Sequence, residues 1–106
     1  MPPIETPDRR LLKLIRSLPA SDAQNRLMRI SDRELAVSLL YLVSDERSYV
    51  LSFIGGAKRR RVEEEIEYTE RLRIRYPQYR AMIESVIEQL GGSGRGPLRS
   101  YLRPIR

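Results

Sequence analysis

The charged side chains are the residues of this sequence that could do chemistry, because it contains neither histidine nor cysteine. Their absence removes the usual neutral-pH general base, the thiolate nucleophile and the commonest transition-metal ligands. Catalysis would then depend on a carboxylate pair or an uncharged lysine. The only lysines are Lys13 and Lys58, and nothing around either suggests a substrate pocket. The sequence therefore predicts a non-enzymatic protein with no catalytic residues, no metal site and no cofactor.

Four consecutive basic residues form the segment best suited to bind phosphate: Lys58, Arg59, Arg60 and Arg61. Basic side chains clustered along one helix would contact the phosphates of a nucleic acid. The acidic residues Glu63, Glu64 and Glu65 follow almost directly. The run therefore also fits a solvated helix face whose charges neutralise one another, and the acidic residues favour this interpretation over a phosphate-binding stripe.

Three tyrosines in the second half of the chain, Tyr68, Tyr76 and Tyr79, would suit stacking on nucleic-acid bases. Tyr79, however, shares a helical face with Met82 and Ile83. This spacing favours packing in or beside the core over a stacking platform.

The positive charge is concentrated at the carboxyl end of the chain. The sequence has 20 basic and 14 acidic residues, a net charge of +6, and four arginines without any acid follow Gly91. Without those four the net charge falls to +2, so attraction to nucleic acid or to an acidic protein should be strongest in this tail.

Arginine greatly outnumbers lysine in the sequence. This excess suits forked pairing with carboxylate or phosphate, although a biased genome composition explains it equally well.

Capping signals and apolar periodicity predict an all-α chain of about six helices without a strand. Thr6-Pro7-Asp8 is typical of a helix start, with Thr6 as the cap and Pro7 in the first turn. Capping boxes at Ser21 and Ser31 predict the second and third helices, and the third should continue to about Val43.

Three further helices are predicted in the second half. The fourth begins at Ser44 and ends at Gly55-Gly56, where glycine would relieve left-handed backbone strain. The fifth, from Ala57 to about Arg75, is heavily charged and should face mostly solvent. The sixth has the cleanest apolar periodicity of the chain. Short helices with wide apolar arcs suggest a small stack of helical hairpins of armadillo or HEAT character.

These elements predict one helical domain over residues 6–92, with a disordered stretch at 1–5 and a flexible basic tail at 93–106. Glycine and proline oppose regular structure in the tail. Some of its residues nevertheless suit docking on a partner: Arg99, Tyr101, Leu102 and Arg103. Folding of the tail back onto the last helix is an equal alternative.

Nothing in the sequence indicates export or membrane insertion. The amino terminus, Met1-Pro2-Pro3-Ile4-Glu5, has neither the basic start nor the apolar core of a secretory signal. The longest mostly apolar stretch, Leu35 to Val43, has nine residues against the roughly 20 that a membrane helix needs. We therefore expect a cytoplasmic protein without a membrane span.

Several charged and apolar segments follow one another in a distinctive order. They are Ser44-Asp45-Glu46-Arg47 with Val50-Leu51-Ser52, then Lys58-Arg59-Arg60-Arg61-Val62, Glu64-Glu65-Ile66-Glu67-Tyr68 and the closing Val86-Ile87-Glu88-Gln89-Leu90. In this order the run from Leu14 to Leu90, about three quarters of the chain, resembles the carboxyl-terminal domain of the flagellar motor switch protein FliG. The match is one of order and spacing and includes no rigid motif.

The resemblance implies an armadillo-like helical domain that meets the cytoplasmic loop of the stator protein MotA through alternating charges on one helix. In this sequence those charges map onto five residues: Arg26, Arg29, Asp32, Arg33 and Glu34. Arg26 would take the place of a family basic residue and Asp32 that of an acidic one. The chain departs from the family at Arg33, where an acid is expected, and at Leu40-Tyr41, where the family has Lys-Gly.

The function implied by this resemblance is that of a FliG-like interaction module at the cytoplasmic face of the flagellar basal body. Its partner would be MotA, FliM or another copy of FliG. The charge alone suggests a different class, a small nucleic-acid-binding protein that uses Lys58 to Arg61 and the arginine tail on phosphates. Against this alternative stand the balancing Glu63 to Glu67 and the absence of a helix-turn-helix or zinc signature.

Overall fold

A computed structural model describes residues 5–91 and contains six α helices. In chain order they are α1 (Pro7–Ser17), α2 (Ala20–Arg29), α3 (Asp32–Ser38), α4 (Ser44–Leu51), α5 (Gly56–Leu72) and α6 (Tyr76–Gly91). No strand occurs between residues 5 and 91, so the all-α prediction of about six helices is confirmed. None of these helices combines the length and the apolar character that crossing a bilayer requires.

A proline lies at or directly before the start of each of the first two helices. α1 begins at Pro7 as predicted, because the fixed φ of proline suits the first turn of a helix. Pro19 follows the end of α1 and is also the N-cap of α2, which therefore begins at Ala20. The capping box predicted at Ser21 is wrong, because this serine already lies inside the first turn of α2.

α3 begins with the capping box that the sequence predicts. The backbone N–H of Glu34 donates a 3.1 Å hydrogen bond to the hydroxyl of Ser31, which satisfies one of the unpaired donors of the first turn. Asp32 and Glu34 add two carboxylates to this turn, where the helix dipole favours negative charge. Both carboxylates also bind other helices, so the same turn fixes α3 in the tertiary structure.

α3 ends at Ser38, so the predicted continuation to about Val43 is wrong. In the turn that follows, the guanidinium of Arg47 donates to the carbonyl oxygens of Leu39 and Leu40 at 3.3 and 3.1 Å. These bonds, which come from α4, satisfy carbonyl groups that a longer helix would have paired internally. The apolar run contains no local stop signal, so the helix end depends on a tertiary contact.

The glycine pair between α4 and α5 begins a helix and does not end one. α4 ends at Leu51, whereas Gly55 is the N-cap of α5 and Gly56 its first residue. Gly55 has a φ of −68°, and no glycine in the described part of the chain has a positive φ, so the predicted left-handed strain is absent there. The left-handed residue is Arg73, with a φ of 54°, which ends α5 at the position that glycine usually takes.

α3 lies at the centre of the molecule and packs against both α5 and α6. α6 also packs along α1 and contacts α2, so the last helix brings together the two ends of the described chain. Leu35, Ala36 and Val37 of α3 and Ile83 and Val86 of α6 belong to one apolar core. A helix of seven residues is too short to be stable alone, so α3 depends on this burial.

A buried charge joins α5 to the start of α3. The ammonium of Lys58, which is only 7% exposed, donates to the carbonyl oxygen of Ile30 at 2.6 Å and to Asp32 Oδ1 at 3.0 Å. Arg61, about one turn further along α5, donates to Asp32 Oδ2 at 2.8 Å. The hydrogen bond from Arg61, followed by that from Lys58, holds the pKa of Asp32 below its usual value in spite of partial burial.

The substitution Asp32→Asn should weaken the one carboxylate contact that the buried Lys58 makes within residues 5–91, and it should lower the free energy of unfolding at pH 7 by about 1–3 kcal/mol. Because the folded-state pKa of Asp32 is lowered, its ionised form stabilises the fold above the unfolded-state pKa of about 3.9. This contribution is lost as the pH falls through the folded-state pKa. Urea unfolding between pH 7 and pH 2 should therefore show a smaller acid-dependent loss of stability in Asp32→Asn than in the unsubstituted protein.

The control is Asp45→Asn, because Asp45 is exposed in the first turn of α4 and has no ion pair within residues 5–91. This variant should keep the acid dependence of the unsubstituted protein. Identical pH profiles for Asp32→Asn and Asp45→Asn would contradict a stabilising role for the contact between Lys58 and Asp32.

Candidate functional site

The FliG resemblance implies a row of five charged residues that bind a partner. In the structure, three of them make hydrogen bonds within the protein and two are exposed. Arg26, Asp32 and Glu34 hydrogen-bond within the protein, to α6, α5 and α6 respectively. Arg29 and Arg33 are exposed and form no ion pair with any residue between 5 and 91. The exposed part of the row therefore consists of two arginines, while both of its acids hold helices together.

Glu34 links the start of α3 to α6. Its carboxylate accepts from the hydroxyl of Ser85 at 3.0 Å, and the amide of Gln89 lies 3.3 and 3.4 Å from its two oxygens. Burial alone would raise the pKa of Glu34, but hydrogen bonds from Ser85, Gln89 and Ser31 outweigh it and leave the pKa below its usual value. The carboxylate therefore serves to fix α6 against α3.

The basic run at the start of α5 does not form one exposed stripe. Lys58 is buried, and Arg61 pairs with Asp32. Arg59 pairs within α5, so Arg60 is the member of the run that is exposed without an ion pair to any residue of the described chain. The run is therefore paired partly by Asp32 of another helix, and only Arg59 pairs with the acidic residues that follow it. The residues predicted to dock the tail lie outside the described part of the chain: Arg99, Tyr101, Leu102 and Arg103.

A cavity of about 380 Å³ opens between the starts of α1 and α6 and the turn after α3. Its walls include Tyr41, Tyr76 and Tyr79, and we call it the tyrosine cavity. The rings of Tyr41 and Tyr79 meet edge to face with centroids 4.4 Å apart, and the ring of Tyr76 lies 5.7 Å from that of Tyr79. Tyr79 is 1% exposed, whereas Tyr41 and Tyr76 are 54% and 51% exposed. The cavity therefore has a buried tyrosine and two that face solvent.

The hydroxyl of Tyr79 is buried and has no hydrogen-bond partner among residues 5–91. A buried hydroxyl without a partner costs about 1–3 kcal/mol, so such a group in a native protein calls for a reason. Burial raises the pKa of this phenol, and the negative charge of Asp8 raises it further. The hydroxyl therefore keeps its proton at neutral pH and offers one donor and free acceptor capacity.

Asp8 also lines the tyrosine cavity and gives it a negative charge. Arg9 Nε lies 3.1 Å from Asp8 Oδ2, but the same guanidinium also pairs with both carboxylate oxygens of Glu46. Two carboxylates thus share one guanidinium. Burial would raise the pKa of Asp8, but hydrogen bonds from Thr6 and Arg9 hold it below its usual value. The carboxylate is therefore ionised at neutral pH.

The tyrosine cavity is one end of a longer groove. Tyr41 also lines a neighbouring cavity of about 250 Å³. Glu70 joins that second cavity to a third, of about 450 Å³, between α4 and α5. Each neighbouring pair of cavities shares one lining residue, so the three lie side by side, and we call them together the α5 groove.

The lining of the α5 groove contains more acidic than basic residues although the whole chain is basic. Glu63, Glu67 and Glu70 follow at spacings of four and three residues, which places them on one face of α5. Each of these carboxylates has one arginine within 3.4–4.0 Å, and exposed pairs of this kind contribute little stability. Arg47 and Arg73 are the basic residues of the lining, so the three glutamates already outnumber them, and Asp8 adds a fourth acid.

Sequence patterns point to only part of this site. Tyr76 and Tyr79 stand out in the sequence, and the prediction that Tyr79 packs in the core is confirmed. Tyr68 is half exposed on α5 and is not among the residues that line the groove. Tyr41 is missed because the apolar run around it is predicted to be helical. Its only sequence signal is a tyrosine among aliphatic residues.

No group of three or more carboxylates within residues 5–91 is placed to hold a metal ion. No protein-family model, no curated protein and no solved structure matches this chain. The geometry and the charge of the groove are therefore the basis for inferring function.

The substitution Tyr79→Phe removes the unpaired hydroxyl and keeps the ring, so it should leave the free energy of unfolding unchanged or raise it by about 1 kcal/mol. The matched variant Tyr79→Leu also removes the ring contacts with Tyr41 and Tyr76 and should lower stability by about 1–3 kcal/mol. Urea unfolding followed by circular dichroism measures both effects. A clear loss of stability in Tyr79→Phe would show that the hydroxyl is hydrogen-bonded in the free protein.

Proposed function

We propose that this chain is a non-enzymatic module that binds another protein, and that the α5 groove holds a segment of that partner. The supporting observation is the combination of half-exposed tyrosine rings and acidic side chains along three adjoining cavities. Aromatic side chains at concave sites are frequent anchors of protein interfaces. Three adjoining cavities suit an extended segment better than a compact small molecule.

The charge of the groove indicates the chemistry of that segment. Glu63, Glu67 and Glu70 lie along one end of the groove, and Asp8 lies at the tyrosine end. An acidic groove on a chain of net charge +6 favours a basic segment and disfavours an acidic one. The proposed partner therefore contributes a basic, extended stretch of its chain.

Nucleic acid is the alternative class of partner. Its phosphates would be repelled by the acidic lining of the groove. The basic run from Lys58 to Arg61 presents few unpaired positive charges to phosphates, because Lys58 is buried and Arg61 pairs with Asp32. A protein is therefore the class of partner that we propose.

The resemblance to FliG supports a particular setting for such a module, the switch complex at the cytoplasmic face of the flagellar basal body. The partner would then be MotA, FliM or another copy of FliG. Arg29 and Arg33, the exposed members of the implied row, would meet an acidic surface of that partner. This setting rests on the order of the sequence segments.

Capture from a lysate of the host tests the proposed groove. The variant Glu67→Gln/Glu70→Gln removes two carboxylates from its lining and should reduce recovery of the partner about tenfold, because complementary charges in the bound state are lost. The matched control, Glu64→Gln/Glu88→Gln, removes two exposed carboxylates that do not line it. The partner is the protein recovered with the unsubstituted chain and the control but depleted with the groove variant. Equal recovery of every protein by all three chains would refute the groove as the binding site.

Deletion of the gene tests the flagellar setting separately. In a flagellated host the deletion should disturb swimming or flagellar assembly, because a missing switch component would impair the motor. Expansion in soft agar measures the first effect, and electron microscopy of stained cells measures the second. Normal motility together with normal filaments would refute the flagellar setting and leave the proposed groove to be judged by capture.

A further inference from the structure

We propose that the tyrosine cavity receives the guanidinium group of one arginine from the partner's basic segment. The groups that would contact the guanidinium are Tyr41, Tyr76, Tyr79 and Asp8, and Thr6 and Pro7 complete the lining. The inference rests on the proposed function for the source of that arginine, and on the geometry of the cavity for its chemistry.

The two exposed rings, Tyr41 and Tyr76, leave aromatic faces available to a planar cation, while the buried ring of Tyr79 packs against both of them. Tyr41 and Tyr79 stand at 83° to each other, and Tyr76 and Tyr79 at 45°, so no pair stacks face to face. Tyr41 and Tyr76 are also about half exposed. A guanidinium group stacks on tyrosine faces and is attracted by their negative potential.

The polar atoms of the cavity match the donors of the same group. Asp8 is ionised, and its carboxylate has acceptor capacity beyond its bond to Arg9. The buried hydroxyl of Tyr79 lacks a partner among residues 5–91 and can accept a hydrogen bond. Arginine presents five N–H donors in a rigid plane, so one side chain has donors enough for both the carboxylate and the hydroxyl while it stacks.

Other cations fit this set of groups less well. A quaternary ammonium group would occupy an aromatic cavity but has no N–H, so the hydroxyl of Tyr79 would stay unpaired. The ammonium group of lysine is compact and strongly hydrated, and it cannot stack on the rings. Of these cations, only arginine can stack on the rings and also donate hydrogen bonds to the carboxylate and the hydroxyl.

Titration of the full-length chain with short blocked peptides, followed by NMR, tests the pocket. The probes are acetyl-Gly-Arg-Gly-amide, the same peptide with lysine, and the same peptide with trimethyllysine. The arginine peptide should shift the ring signals of Tyr41, Tyr76 and Tyr79, and it should bind about fivefold more tightly than either other peptide. Equal affinity for the three peptides, or no shift at these rings, would refute the pocket.

Single substitutions separate the contributions of the lining. Tyr79→Phe keeps the ring and should raise the Kd of the arginine peptide about tenfold, because it removes a hydrogen bond to a charged group. Asp8→Asn should have an effect of similar size, whereas Tyr76→Leu, at an exposed ring, should raise the Kd about threefold. Tyr68→Leu is the control, because Tyr68 is 50% exposed on α5 and does not line the cavity. Unchanged affinity in Tyr79→Phe would indicate that water alone pairs with the hydroxyl, and it would overturn the proposal.

A second source of guanidinium groups is the chain itself, which has four arginines after residue 91: Arg95, Arg99, Arg103 and Arg106. Their replacement by glutamine in the full-length chain should leave the Kd of the arginine peptide unchanged. Much tighter binding by that variant would mean that an arginine of the same chain fills the cavity, which would overturn the assignment to a partner.

The peptide titration and the capture experiment fail independently. Capture of a partner through Glu67 and Glu70 without any preference for arginine would refute the pocket and leave the proposed function in place. Preference for arginine at the three tyrosines without a captured partner would support the chemistry of the cavity, but it would remove the partner as the source of the arginine.

Discussion

Asp32 and Glu34, in the first turn of α3, bind two different neighbouring helices. Asp32 accepts from Lys58 of α5, and Glu34 accepts from Ser85 of α6. Because α3 has only seven residues, its stability depends on burial between those same two helices. Apolar burial provides most of the driving force, while the polar contacts of this one turn fix where α5 and α6 lie.

The position of α5 in turn creates the groove. With Lys58 turned inward against Ile30 and Asp32, the face of α5 that contains Glu63, Glu67 and Glu70 lies beside α4. The tyrosine end depends on a different contact. Arg47 binds the carbonyl groups after α3, and the turn that results contains Tyr41. The tyrosine end of the proposed site therefore includes the turn at which α3 stops.

Charged residues in this protein illustrate why a charge pattern in sequence has two structural explanations. The row implied by the FliG resemblance and the basic run on α5 both suggest surfaces for a partner. In the structure Asp32 and Lys58, one from each set, bind each other. The Coulomb attraction that joins a residue to a partner also joins two residues of one chain, so alternating charge alone does not distinguish the two cases.

In the proposed pocket, by contrast, groups that are not fully paired within the chain are available to a partner. The unpaired hydroxyl of Tyr79 is unfavourable for the isolated fold and becomes useful when a donor enters the cavity. Asp8 shares Arg9 with Glu46, so a further cation at the cavity would find negative charge that is only partly compensated. The incompletely paired hydroxyl and carboxylate thus lie where the exposed rings of Tyr41 and Tyr76 meet the buried ring of Tyr79.

Local sequence determined the helix class, the number of helices and several of their starts, because those depend on residues within about four positions of one another. The proline start at Pro7, the capping box at Ser31 and the apolar stripe of α6 are of this kind. The tertiary structure alone decided the end of α3, the burial of Lys58 and the meeting of Tyr41 with Tyr79. Lys58 is 26 residues from Asp32 in sequence, and no periodic pattern spans such a distance. Contacts of that range depend on how the helices pack, which one sequence does not reveal.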